Sequence, residues 1–251
     1  MIGKVKKYLI KILAFSILVT GIISCKKAPV KDCFVSANDP WTETRQVDTF
    51  SQIVVNDDIN LYLQQGSPQQ VQIEGGKNLT PNIATSVSGG VLTLKNNNIC
   101  DWLRSYKKSV INVYVTIPYI SYITNAGVGN IQGTDTITMS TMQIATQSAG
   151  NITLMVNCGS IFAHLFNTST CTLTGKCGDF QCNFLAGTGF MYCDHLYCGY
   201  TYLSTGTTGD CYINSLGELD VVINKNGNVY YSGNPSPIHA QINGTGQLIH
   251  E

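Results

Sequence analysis

The sequence predicts an all-β solenoid whose coils are about twenty residues long, and three observations carry that expectation. First, a glycine-rich unit recurs through the second half of the chain. Gly129-Asn130-Ile131, Gly150-Asn151-Ile152, Gly189-Phe190-Met191, Gly209-Asp210-Cys211, Gly227-Asn228-Val229 and Gly246-Gln247-Leu248 lie 21, 39, 20, 18 and 19 residues apart, and a degenerate copy at Ser169-Thr170-Cys171 divides the 39. Second, apolar residues alternate at matching offsets inside each unit: Met142 and Ile144, Ile161 and Ala163, Phe180 and Cys182, Thr201 and Leu203, Leu219 and Val221. That is the period of a half-buried strand, and a unit so short buries its apolar face only against its neighbours. Third, only 12% of residues are charged, so the outer faces must be built from Asn, Thr, Ser, Gln and Gly.

The N-terminal elements follow from a different pattern. Lys4, Lys6 and Lys7 precede a mostly apolar run over 8–23 that ends at Ile22-Ile23-Ser24-Cys25. This tetrapeptide resembles a bacterial lipobox, which implies that Cys25 is acylated and becomes the mature N-terminus. A plain signal peptide or a single spanning helix is the competing reading, and the polar stretch directly after Cys25 argues against both. The expected organisation is a signal peptide over 1–24, a lipidated N-terminus and polar tether over 25–45, and a β-helix domain over 46–251. Two or three acyl chains hold a membrane far better than one, at about 0.8 kcal/mol per buried methylene. In lipoproteins of Bacteroidetes type, acidic residues after the cysteine go with export to the cell surface. Lys26 and Lys27 stand there instead, so an outer-membrane anchor facing the periplasm is expected.

Four of the fifteen basic residues lie in 1–24, which hold no acid, so the mature chain carries eleven basic against fifteen acidic residues, about −4. That balance argues against a nucleic-acid partner. Past the tether, with its Pro29 and Pro40, segments 50–55, 60–64, 69–74, 86–95 and 110–116 read as strands, and 101–108 as a short helix. The coils begin at Ile117-Pro118-Tyr119-Ile120. Glycine at each corner is expected to supply positive φ, with Asn130, Asn151 and Asn228 beside it as corner residues bonding their own backbone.

Nine cysteines remain besides Cys25: Cys33, Cys100, Cys158, Cys171, Cys177, Cys182, Cys193, Cys198 and Cys211. Cys158, Cys177 and Cys198, continued by Leu216, form one column of equivalent positions. Cys171 and Cys211 share another with Ile152, Met191 and Val229. Such interchange with aliphatic residues marks core thiols or adjacent-coil disulfides. Cys33 and Cys100 are placed to pair with each other. A zinc site at Cys177 and Cys182, or at Cys193 and Cys198 with His195, is the rival. It lacks a tight CxxC pair, and residues five apart on a strand face opposite ways unless a turn intervenes. No metal ligand, cofactor site or catalytic residue is therefore assigned.

The acids Asp179, Asp194, Asp210, Glu218 and Asp220 read as turn and loop residues, because the spacings among the first three do not match the coil period. Asp194-His195 is an acid beside an imidazole, but neighbours on a strand diverge. Tyr192, Tyr197, Tyr200, Tyr202, Tyr212, Tyr230 and Tyr231 crowd the later coils. Tyr212, between Cys211 and Ile213, must face outward, so an outer aromatic ladder is expected, either shielding the sheet or serving as a platform for a glycan or protein.

The lipobox, Phe50-Ser51-Gln52-Ile53-Val54-Val55-Asn56, the following Leu61-Tyr62-Leu63 and the recurrent Gly-Asn units together resemble the head GIN domain family, bacterial envelope proteins described as auto-transporter adhesins. The resemblance spans roughly 45–250. It implies a right-handed parallel β-helix and brings no catalytic or binding residues with it. With no spanning segment at 247–251, a complete autotransporter is not expected. The expected function is that of a non-enzymatic envelope lipoprotein, a binding or structural module with an adhesin for glycan or protein as the sharper form. A carbohydrate-active β-helix enzyme is the alternative, and would need paired carboxylates in a cleft. A thiol-based sensor or metal scavenger would need exposed thiols.

Overall fold

Alternating inward residues leave each strand with one apolar face, and a parallel stack of coils covers that face by setting equivalent residues one above another. The computed structural model describes residues 39–98 and 110–251, which lie in one unit spanning Ser36–Glu251. Among the described residues, eighteen strands join into one continuous hydrogen-bonded system. The first eight are β1 (Pro40–Arg45), β2 (Gln52–Val55), β3 (Ile59–Gln65), β4 (Gln70–Gly76), β5 (Ile83–Ser88), β6 (Val91–Asn96), β7 (Ile111–Ile117) and β8 (Tyr122–Asn125). The coils follow in β9 (Ile131–Thr146), β10 (Ile152–Asn167), β11 (Cys171–Gly187), β12 (Met191–Cys193), β13 (Leu196–Thr207), β14 (Cys211–Asn214), β15 (Glu218–Ile223), β16 (Val229–Ser232), β17 (Ile238–Ile242) and β18 (Leu248–His250).

Two inner columns run the length of the stack. One passes through Val113, Leu61, Ile131, Ile152, Cys171, Met191, Cys211, Val229 and Leu248, each opposite the next in parallel register. The other passes through Leu92, Ile53, Ile123, Ile144, Ala163, Cys182, Leu203, Val221 and Ala240. Between these columns the alternation slips by one residue in β9, β10 and β11, where Met139 and Met142, Cys158 and Ile161, and Cys177 and Phe180 are buried three positions apart. In β11 the slip falls at Gly178-Asp179, both exposed, so that Cys177 and Cys182 both point inward although five positions apart.

The parallel stack begins earlier than the sequence suggests. β2 pairs in parallel with β6 and β8, and β3 with β7 and β9, so the N-terminal strands are coils of the same solenoid. Antiparallel strands close that end: β4 lies on β7, β1 on β4, and β5 on β6. Segment 40–45, expected in the tether, is thus a paired strand. Segment 86–95, expected as one strand, belongs to the β5–β6 hairpin, turned at Gly89 and Gly90 with φ of 57° and 77°. A two-residue turn of that kind needs positive φ at both positions. The expected helix at 101–108 lies outside the described residues, as do Cys25, Cys33 and Cys100.

The glycines of the repeat serve a different end from the one expected of them. Gly129, Gly150, Gly189, Gly209, Gly227 and Gly246 are not among the positive-φ residues. They let the backbones of successive coils touch: a Cβ on Gly150 would lie 2.1 Å from the carbonyl oxygen of Gly129, and one on Gly246 2.1 Å from that of Gly227. The asparagines beside them bond the neighbouring coil. Asn130 N–H donates to Asn60 Oδ1 (3.0 Å), Asn151 N–H to Asn130 Oδ1 (3.3 Å) and Thr170 N–H to Asn151 Oδ1 (2.8 Å). Asp210 and Asn228 extend the device, accepting from Asn228 N–H (2.9 Å) and Gln247 N–H (3.0 Å). Inside two of the corners, buried Asn125 donates to Gly129 O (2.8 Å), and buried Thr207 to Gly189 O (2.9 Å), so these side chains satisfy turn carbonyls away from water.

Candidate functional site

The outward residues of the later coils form two arrays. On the first, Thr172, Tyr192, Tyr212, Tyr230 and Ile249 stand in register because Cys171, Met191, Cys211, Val229 and their alternating partners take the inner positions. Ring centroids lie 5.5 Å apart for Tyr192–Tyr212 and 4.8 Å for Tyr212–Tyr230, with planes inclined by 14° and 9°, and Phe190 adds a fourth ring 6.3 Å from Tyr192. Rings stacked along the ladder cover one another's faces. What the column presents to solvent is therefore a row of ring edges and phenol groups at coil spacing.

On the second array, Asp179, Tyr200 and Glu218 form one outward column, and Gln181, Tyr202, Asp220 and His239 the next. Tyr200 donates its hydroxyl to Asp220 Oδ2 at 2.8 Å. His239 Nδ1 lies 2.8 Å from Asp220 Oδ1 and 3.8 Å from Glu218 Oε1. Burial, and then the bond to Asp220, push the Tyr200 phenol up to about 12. The same bond, helped by His239, holds the Asp220 carboxyl below its usual range against a smaller opposing effect of burial. Among the described residues, Glu218, Asp220 and His239 are the one group of three such side chains whose ligand atoms all lie within 4.8 Å of one another. The sequence reading named both acids and left out His239, although it stands 19 residues beyond Asp220, one coil period.

The reading of the acids as turn and loop residues holds for Asp194 and Asp210, whereas Asp179 lies within β11 and Glu218 and Asp220 lie on β15, their side chains facing outward from strands. Asp210 accepts a backbone N–H, Asp179 faces Ser160 Oγ at 3.4 Å, and Asp194 sits in the turn between β12 and β13. There the backbone bends so that Asp194 Oδ2 meets His195 Nε2 at 3.5 Å, contrary to the divergence expected of a straight strand. The described cysteines, Cys158, Cys171, Cys177, Cys182, Cys193, Cys198 and Cys211, are free thiols and buried. His195 is 73% exposed, so the turn that brings Cys193 and Cys198 inward sends the imidazole outward, away from both. Leu216 is 57% exposed and does not continue the Cys158–Cys177–Cys198 column; Asn214 and Ser215 are the buried residues there. A cavity of about 220 Å³ near the start of the domain is lined by Thr44, Arg45, Gln46, Val47, Gln69 and Gln70 among others, and its lining holds no carboxylate. No helix among the described residues is long and apolar enough to cross a membrane.

The family described as "Putative auto-transporter adhesin, head GIN domain" matches residues 49–235. Solved structures share the fold. A "putative adhesin" from Bacteroides fragilis has a TM-score of 0.74 at 20% identity, covering 85% of this chain and 97% of that one. A second "putative adhesin", from Parabacteroides merdae, has a TM-score of 0.65 at 16% identity and covers 85% and 96%. A "putative lipid binding protein" from Parabacteroides distasonis also reaches 0.65, at 15% identity, covering 86% and 98%. No curated protein matches the chain.

Proposed function

The chain belongs to the head GIN domain family of adhesin-like proteins, and on that footing we propose that it is an envelope lipoprotein, anchored in the outer membrane through acylated Cys25, whose solenoid is a non-enzymatic binding module facing the periplasm. The ladder Phe190, Tyr192, Tyr212 and Tyr230 carries the reading. Its phenol groups repeat at the coil spacing, 4.8 to 5.5 Å between rings, a step comparable to one sugar residue. An extended glycan laid along the stack meets the same donor and acceptor at each coil, and ring edges beside them supply apolar contact. Specificity then comes from register, as in other solenoids with extended binding surfaces.

The enzymatic alternative is less well supported. Glu218 and Asp220 share one imidazole on an outward face, where a glycosidase needs its paired carboxylates to flank a bound sugar in a cleft. The deciding experiment is binding of purified envelope polysaccharides, arrayed on a surface, to the wild-type chain and to a Tyr192→Ala, Tyr212→Ala, Tyr230→Ala variant. Retention of a polysaccharide by the wild type and its loss in the triple variant is the expected result. Equal retention by both removes the ladder from the binding face.

A further inference from the structure

We propose that Glu218, Asp220 and His239 form a binding site for one divalent transition-metal ion of the zinc class. The site is assembled by the coil period. Glu218 and Asp220 are two apart on β15 and so share a face, and β17 sets His239 directly opposite Asp220. Metal bonds of about 2.0 Å at tetrahedral angles place ligand atoms roughly 3.3 Å from one another. The distances from His239 Nδ1, 2.8 Å to Asp220 Oδ1 and 3.8 Å to Glu218 Oε1, bracket that value, and all three ligand atoms lie within 4.8 Å of one another, so rotation of the exposed Glu218 and His239 side chains toward Asp220 closes the site.

A second observation supports the assignment. Tyr200 holds Asp220 Oδ2 at 2.8 Å, which fixes the carboxylate with Oδ1 turned to the imidazole. Metal-binding carboxylates and imidazoles are characteristically held by such outer hydrogen bonds. The donor set selects the ion: one imidazole with two carboxylates suits zinc, copper, nickel or cobalt better than calcium or magnesium, which prefer oxygen alone. The two carboxylates balance the charge of the ion. Three protein ligands leave a coordination position for water or for a donor from a bound partner. The inference stands on the second outward array and does not depend on the aromatic ladder.

Cobalt(II) is the probe of choice, because thiolate ligation produces intense sulfur-to-cobalt charge transfer and nitrogen–oxygen ligation does not. Titration of the purified full chain is expected to give one saturable cobalt site free of thiolate bands and displaced by zinc. His239→Ala and Glu218→Gln, at residues whose side chains are 63% and 45% exposed, should lose it while leaving the circular dichroism unchanged. Tyr200→Phe should keep the stoichiometry and weaken affinity by about tenfold, the order seen for outer-shell groups. Absence of saturable binding overturns the proposal. So does binding that shows thiolate bands or that survives His239→Ala.

Discussion

A cysteine in an envelope protein suggests a disulfide, yet the seven described here behave as small aliphatic residues. Their register was legible because Ile152, Met191 and Val229 occupy the same column as Cys171 and Cys211. The extension to Leu216 failed because the corner there turns Asn214 and Ser215 inward, a one-residue offset that a spacing of 18 does not reveal. Burial is the largest cause that pushes the Cys158 thiol up to about 11 and Cys211 up to about 12, while Cys177 is raised first by its bond with Cys198. Since thiolate is the reactive form and all seven thiols are buried away from reagent, iodoacetamide at neutral pH should leave them unmodified in the native protein and alkylate them in denaturant, as read by peptide mass spectrometry. Tyr200 and Asp220 make a second test. A depressed carboxyl contributes stability above its unfolded pKa, about 3.9, and loses it as pH falls through the lowered folded value. A phenol raised to about 12 contributes below its unfolded pKa, about 10, and loses it as pH rises through 12. Tyr200→Phe should remove one late-titrating tyrosine from the absorbance titration and move the Asp220 carboxyl resonance to higher pKa.

Among elements, the coils were readable, and so were β2, β3, β4 and β7 as strands, but the way the N-terminal strands pair was not. Gly-Asn units and alternating pairs recur at a fixed period, whereas β2 meets β6 across 39 residues and β8 across 70, and β3 meets β9 across 70, without a repeated motif to announce it. The glycines were found for the wrong reason: close backbone approach and positive φ leave the same mark in a sequence. The two causes separate under substitution. Gly150→Ala forces a methyl against the Gly129 carbonyl, at 2.1 Å, and should cost about 1–3 kcal/mol in urea denaturation, as overpacking does. Gly89 has open space around it and φ of 57°, so Gly89→Asn, which tolerates the left-handed region, should stay within about 0.5 kcal/mol of wild type.

At the scale of the whole molecule, the proposed anchor and facing are tested together. Cys25→Ala should move the protein from the membrane fraction to the soluble one, and added protease should digest the wild type only after cell lysis. Digestion in intact cells would instead put the domain at the surface. His239 shows why the second array was missed: Glu218 and Asp220 read as isolated acids of one coil, and only the stacking of β17 on β15 sets the imidazole beside them. The same stacking has a mechanical consequence. Neighbouring coils are tied by parallel ladders, with the antiparallel strands at one end and β17 and β18 at the other. Tension applied across those ends would peel coils away one after another instead of shearing the stack at once. The Gly150-Asn151 and Ser169-Thr170 units are 19 residues apart, and a pulled chain lengthens by about 3.3–3.6 Å per residue. Each yielding event would therefore release about 63–68 Å, so that the molecule gives under load in small, regular steps.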